Sequence, residues 1–235
     1  MADDRCDPPL GRGDGCSHSQ SAERTAEQDG RGHLVTGERF RRLILASRSA
    51  ARRAMLTGAG VSFSIQDAGV DEDAIKIRLT GTDPADLALE LARAKALAVS
   101  RKDPHAWVLG SDQTLDLEGT MVSKAPDLAA ARLRLLSMRG RTHHLNAAAA
   151  LAHDGVVVWS GVDTARMTLR HFSDGFLDHY LAAEGEALLG SVGCYRLEGM
   201  GSQLFDRVEG DYFTVLGMPL WPVLDELRRV GVIAT

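Results

Sequence analysis

Two serines one residue apart, followed by two arginines, are the first residues in this chain whose types and spacing could do chemistry: Ser47, Ser49, Arg52 and Arg53. The apolar run Leu43–Ala46 before them reads as a buried strand, and Ala51, Met55 and Leu56 recur at helical spacing around and after them. A hydroxyl-rich turn between strand and helix offers free N–H groups and the positive end of the helix dipole to an anion. Serine hydroxyls add donors, and guanidinium groups meet phosphate oxygens as a fork. The same pattern also serves as a plain serine cap with surface arginines.

Carboxylates and lysines follow at intervals. Gly69-Val70-Asp71-Glu72-Asp73 reads as an acidic loop, either a solvated turn or a source of an oxygen ligand for Mg²⁺. A helix starting with Asp83 as cap and Pro84 in its first turn shows Leu87, Leu91, Ala94 and Ala98 on one face. Lys95 falls at the border of that face, placed to snorkel to water or to lean over a cleft. Ala106–Leu109 reads as a strand buried on both faces, ending in Gly110-Ser111-Asp112-Gln113. A carboxylate where a buried strand emerges suits an active site in an open α/β sheet, and equally a turn. A hairpin over Leu115–Val122, turning at Glu118-Gly119, leads to Lys124. Together these groups fit metal-assisted phosphoryl chemistry. The chain has no P-loop, no Gly-x-Ser-x-Gly elbow and no His-Glu-x-x-His.

The elements that must position these residues alternate between strand and helix, an α/β pattern. A helix is expected over Asp127–Met138, then two strands, Thr142–His153 and Val156–Arg170, joined by the tight-hairpin dipeptide Asp154-Gly155. Adjacent His143 and His144 in such a strand point to opposite faces and cannot share a metal. A helix over Phe176–Leu181 and a closing one buried through Leu220, Val223, Leu224, Leu227 and Val230 complete the pattern. A net charge of −5 argues against broad nucleic-acid or anionic-membrane binding, so any phosphate site must be a local basic pocket. No apolar run reaches the ~18 residues of a membrane span. Cys6, Cys16 and Cys194 form no metal-ligand cluster and read as free thiols in a reducing cytoplasm. Residues 1–40 are polar, glycine-rich and without apolar periodicity. They are read as a disordered extension or an upstream mis-start, leaving 41–235 as the domain.

In register, Ser47-Arg48-Ser49-Ala50-Ala51-Arg52 resembles the Ser-x-Ser-x-x-Arg signature of the Maf family of nucleoside triphosphate pyrophosphatases. Further blocks resembling that family follow in order: Val70-Asp71-Glu72, Ala94-Lys95-Ala96, Gly110-Ser111-Asp112-Gln113, Lys124, Gly193–Gly199, and Glu209–Tyr212 through Leu216–Leu220. The resemblance spans Leu43 to Gly231. It implies a long twisted mixed sheet flanked by helices, related in shape to the inosine triphosphatases, with two lobes around a central cleft and commonly a homodimer. It implies hydrolysis of the α–β phosphoanhydride of a nucleoside triphosphate, giving a monophosphate and pyrophosphate, with a divalent cation such as Mg²⁺ or Mn²⁺. Asp112 matches the catalytic acidic position, which would be a general base or a metal ligand. Ser47, Ser49, Arg52, Lys95 and Lys124 match phosphate-binding positions, and Glu72 with Asp112 the metal ligands.

Substrate choice follows the family's subgroups. Ser111-Asp112-Gln113 and Glu198 resemble the subgroup acting on 7-methyl-GTP, whose cationic base a carboxylate would oppose. The subgroup acting on dTTP and UTP reads Ala-Asp-Thr and Gln at these places. Gln113, Glu198 and Ala51 are therefore the expected specificity positions. Ala51 departs from both subgroups, standing where one carries a stacking aromatic and the other an arginine; Ala50 and Ala125 replace prolines. The family is also associated with inhibition of septum formation, so a non-catalytic regulator is the reading from another class. Such a protein has no need of Lys95, Asp112 and Lys124 together.

Overall fold

A computed structural model describes residues 41–235. The expected extension over 1–40, with Cys6 and Cys16, lies outside them.

A seven-stranded mixed sheet forms the centre, in the order β2-β1-β3-β5-β6-β7, with β4 paired to β3. The strands are β1 (Leu43–Ala46), β2 (Ser64–Ile65), β3 (Trp107–Leu117), β4 (Thr120–Val122), β5 (Thr142–His153), β6 (Val156–Leu169) and β7 (Phe205–Glu209). The helices are α1 (Ala50–Gly58), α2 (Glu72–Arg78), α3 (Pro84–Ser100), α4 (Leu128–Met138), α5 (Asp174–Glu184), α6 (Tyr212–Leu216) and α7 (Leu220–Arg229). β1 pairs in parallel with β2 and β3, whereas β3, β5, β6 and β7 each run antiparallel to the next. The 142–153 and 156–169 hairpin forms as expected, its Asp154 and Gly155 at φ 50° and 70° supplying the left-handed pair the turn demands.

One pairing detail makes the site. β1 stops at Ala46, opposite Gly110, and the chain leaves the sheet through Ser47 into α1. β3 does not stop there but continues to Leu117, against β5 on its other side. The expected strand end at Gly110–Gln113 is thus the middle of an eleven-residue strand, and Asp112 projects beyond the end of β1. A crevice outside the carboxyl ends of parallel strands results.

Side chains of β3 alternate between two layers. Leu109 joins Leu43, Leu45, Leu56, Val223, Leu224 and Leu227 in the core between β1, α1 and α7. The opposite face carries α3, and it approaches unusually closely. Gly110 has no Cβ because one would lie 2.3 Å from the Ala92 carbonyl oxygen and 2.6 Å from the Ala96 nitrogen. Ala88, Ala92 and Ala96 meet Ala148, Ala150 and Ala152 of β5 in a seam of small residues. A separate core gathers Leu135, Met138, Leu145, Met167, Leu177, Tyr180 and Leu204 around β5, α4 and α5.

Several expectations shift. Val61-Ser62-Phe63-Ser64-Ile65 alternates in sequence as a half-buried strand would, yet only Ser64 and Ile65 form β2, and both are exposed. The acidic loop is instead the start of α2, with Asp71 as cap accepting from the Ala74 N–H and Glu72 and Asp73 in the first turn, where carboxylates suit the dipole. On α3, Ala94 and Ala98 are only half-buried, and the buried stripe runs through Leu87, Leu91, Lys95, Ala96 and Val99. Arg53 is exposed, and Arg52 alone turns inward.

Candidate active site

Ser49 caps α1, its Oγ accepting from the Arg52 N–H, and its own N–H donates to Ser47 Oγ at 3.2 Å. The Ser-x-Ser spacing thereby fixes the turn. Arg52, one helical turn in, is buried with Nε donating to the Gly217 carbonyl at 2.9 Å and Nη1 to Ser47 Oγ at 3.3 Å. Burial pushes its pKa down, and the charges of Asp112 and Glu72 pull it back up. So the serine cap and the inward-facing arginine belong to one turn.

Lys95 neither snorkels nor reaches solvent. Its Nζ lies 2.5 Å from Asp112 Oδ1 and 2.8 Å from Glu72 Oε1, with only 11% of the side chain exposed. α2 brings Glu72, α3 brings Lys95 and β3 brings Asp112. The close α3 approach over Gly110 is what lets a lysine on the helix meet a strand carboxylate two residues on. For Glu72, burial alone would raise the pKa, but the hydrogen bond and charge of Lys95, with Lys76 and Lys124, hold it below the usual carboxylate range. Lys124 is exposed at the cavity wall and makes no ion pair among the described residues.

These groups line one cavity of about 1280 Å³, larger than the ~300–1,000 Å³ of an ordinary ligand pocket. Ser47, Ser49, Ala51, Arg52, Glu72, Lys95, Asp112, Gln113, Lys124 and Glu198 all lie on its wall. One end is of mixed charge and built on buried, hydrogen-bonded groups, Arg52 and Lys95 set against Asp112 and Glu72. The other is formed by Met121, Val122, Ala187, Ser191, Val192, Tyr195, Leu197 and Glu198, much of it contributed by the stretch around the 3-10 turns Gly185–Gly190 and Met200–Leu204.

Two of the expected specificity positions sit differently from a simple base contact. Gln113, next to Asp112 in a strand, faces the other side of the sheet, and its Nε2 donates to the carbonyls of Thr214 and Val215 at 3.0 and 3.1 Å. Glu198 is exposed and pairs with Arg196 at 3.3 Å, so it carries its own counter-ion. Ala51 sits half-buried in the first turn of α1, on the cavity wall.

Sequence reasoning placed three further contributors in family blocks but gave them no individual role. Ser111 is fully buried, its Oγ donating to the Ala148 and Gly217 carbonyls. Gly217, quoted above only as part of the Leu216–Leu220 block, ends α6 in the left-handed region, at φ 108°. Tyr195 lines the cavity with its hydroxyl 2.5 Å from Nε2 of buried His143. No motif marks that pair, because β5 and the Gly193 turn come together only in the fold.

Among the described residues no group of three or more His, Cys, Asp or Glu is clustered to hold a metal by itself. Glu72 and Asp112 do fit the other arrangement. They already flank a cation in Lys95 Nζ, and Mg²⁺ characteristically takes one or two carboxylates with phosphate oxygens completing its shell. No helix among the described residues is long and apolar enough to cross a membrane.

Residues 42–230 match the family described as Maf-like protein. A protein named nucleoside triphosphate pyrophosphatase from Granulibacter bethesdensis is 54% identical over 190 residues, covering 80% of this chain and 96% of that one. One of the same name from Caulobacter vibrioides is 52% identical, over 81% and 96%. A 7-methyl-GTP pyrophosphatase from Rhizobium meliloti is 50% identical, over 81% of this chain and 97% of its own.

Proposed function

The chain belongs to the Maf family, and we propose from that premise that it is a nucleoside triphosphate pyrophosphatase, a hydrolase that splits the α–β phosphoanhydride. The carrying observation is the Glu72–Lys95–Asp112 cluster facing Arg52 and the serine turn in one cavity. Water is a poor nucleophile towards a polyanion, and Asp112 orients it or accepts its proton. Lys95, Lys124 and Arg52 offset the charge that develops on the departing pyrophosphate, and the α1 turn holds phosphate oxygens through Ser47, Ser49 and N–H groups. Glu72 and Asp112 would hold a divalent cation, Mg²⁺ or Mn²⁺, which polarises phosphoryl oxygens when bound.

Among nucleotides, 7-methyl-GTP or a similarly modified base is the favoured substrate. Supporting it are the name of the Rhizobium meliloti relative and the carboxylate of Glu198 at the cavity rim. The rival reading within the family is dTTP or UTP, supported by Arg196, which already neutralises Glu198. A cytoplasmic homodimer acting on free nucleotide, without nucleic acid or membrane, completes the proposal. A pyrophosphate-release assay over a nucleotide panel, with Mg²⁺, Mn²⁺ or EDTA, tests all but the last part. Metal-dependent release from a methylated or other triphosphate is expected. No release from any nucleotide would instead favour the regulator of septum formation.

A further inference from the structure

Arg52 is held from behind. Its Nε donates to the Gly217 carbonyl at 2.9 Å, and the same oxygen accepts from Ser111 Oγ at 3.2 Å. That carbonyl belongs to the turn closing α6, and α6 is only five residues long, so something must fix it. Gln113 does: its amide nitrogen has two protons, and two carbonyls of this turn, Thr214 and Val215, receive from it. The amide's other end lies close to the same glycine. A Cβ built on Gly217 would lie 3.5 Å from Gln113 Oε1 and 3.7 Å from Arg52 Nη2, so glutamine, glycine and arginine form one packed cluster. With φ at 108°, Gly217 takes a conformation that lets its carbonyl face Arg52 and that a side chain would strain.

We propose that Gln113 is a positioning residue for the phosphate end of the cavity, acting through the Thr214–Gly217 turn to aim Arg52, and not a reader of the base. The inference rests on Arg52 meeting substrate phosphates, as proposed above. It follows from strand geometry as much as from the bonds: Asp112 and Gln113 are consecutive in β3, so the residue beside the catalytic carboxylate must face the α6 side of the sheet.

The test measures binding of inorganic pyrophosphate by calorimetry, which needs no turnover, to wild type, Gln113→Met, Arg52→Lys and the double variant. Methionine keeps the length of the side chain and removes both donors, and Lys at 52 removes Nε and the fork. Gln113→Met is expected to weaken pyrophosphate about tenfold, the effect of losing one well-made hydrogen bond's worth of alignment. Arg52→Lys is expected to weaken it further, and the double variant to bind no more weakly than Arg52→Lys alone, because residues acting in series are not additive. The ratio of kcat/KM between 7-methyl-GTP and UTP should be the same in Gln113→Met as in wild type. Additive losses, or a ratio altered about tenfold or more, the size of a mispaired base contact, would overturn the proposal. Should Gln113→Met fail to fold, Gln113→Asn, one methylene short of the same carbonyls, is expected to show the same loss and the same constant ratio. A wild-type protein that neither binds pyrophosphate nor releases it from any nucleotide removes the premise itself. That outcome differs from one in which wild type and Gln113→Met bind it equally, which sinks only the role of Gln113.

Discussion

Replacing Asp112 by asparagine keeps the volume and removes one charge from a group of four. Lys95 Nζ lies 2.5 Å from Asp112 and 2.8 Å from Glu72, and buried Arg52 senses both carboxylates. Two anions and two cations balance, and the variant leaves one positive charge in excess. At an effective dielectric of about 20, opposite charges 2.5 Å apart attract by roughly 7 kcal/mol before desolvation is set against them. Removing each ion from water costs several kcal/mol, and Lys95 keeps Glu72 as partner, so the net destabilisation is about 1–3 kcal/mol. For a domain of this size that lowers Tm by about 2–12 °C. Turnover should fall much further, by about 10²–10⁴-fold, because a proton acceptor is lost while the phosphate-binding groups stay. Thermal melts and continuous pyrophosphate release on the same samples separate the two effects. A variant within tenfold of wild-type kcat would refute the catalytic role. A variant that melts above wild type would show that ion attraction in this cluster does not offset burial.

Three further outcomes follow from the geometry. Gly110→Ala places a methyl 2.3 Å from the Ala92 carbonyl, a backbone atom that cannot swing aside, so α3 must lift; a loss of about 1–3 kcal/mol in urea unfolding is expected, together with reduced turnover as Lys95 leaves Asp112, and an unaltered midpoint would contradict it. His143, whose pKa burial first and then His144 push down to about 4, stays neutral while the unfolded chain takes up a proton near pH 6.5. Stability present at neutral pH is therefore lost as pH falls from about 6.5 to about 4 and levels off below, by roughly 3 kcal/mol in all, and His143→Gln should flatten that stretch of a urea-stability profile. Glu72→Gln should raise the Mn²⁺ concentration needed for half-maximal activity by about 10–100-fold; an unchanged requirement would remove Glu72 from the metal.

What the sequence made legible depended on whether local and tertiary preferences agreed. At Ser47–Arg52 they did: the apolar run, the paired hydroxyls and the helical spacing all demanded one strand–turn–helix, and it formed. Asp154-Gly155 likewise has few conformations open to it other than the hairpin it makes. Helix α2 was hidden because it buries none of its residues, so no apolar period marks it, and Asp71 as a cap looks like one more carboxylate in an acidic run. The length of β3 was hidden for the opposite reason. Buried on both faces, it carries no alternation to show that Gly110-Ser111 is not its end. The strand expected over Thr142–His153 formed as β5, but why Ala148, Ala150 and Ala152 are small shows only in the assembled sheet, where they meet Ala88, Ala92 and Ala96 of α3. Gln113 could have been placed from period two alone, once β3 was known to run through it.

The two ends of the cavity differ in how firmly they are built, and that difference bears on what each does. At the end proposed to take the phosphates, Ser47, Arg52, Lys95, Ser111 and Asp112 are all buried and each is held by a named partner, so their positions are fixed before any ligand arrives. Preorganised charge of this kind is worth most where charge develops in the reaction, and every nucleoside triphosphate presents the same phosphates to it. At the other end Arg196 and Glu198 are exposed and paired to each other near 3-10 turns, while Tyr195 is fixed from beneath by His143. A base bound there, as proposed, would meet one buried ring and one exposed ion pair whose Arg196 also lies 3.7 Å from Glu184. Changes at Glu198 should therefore alter which nucleotide is chosen with little effect on the fate of the anhydride. Changes at Lys95 or Asp112 should act on every nucleotide alike, and a nucleotide panel run on variants of both ends would show whether choice and chemistry divide along that line.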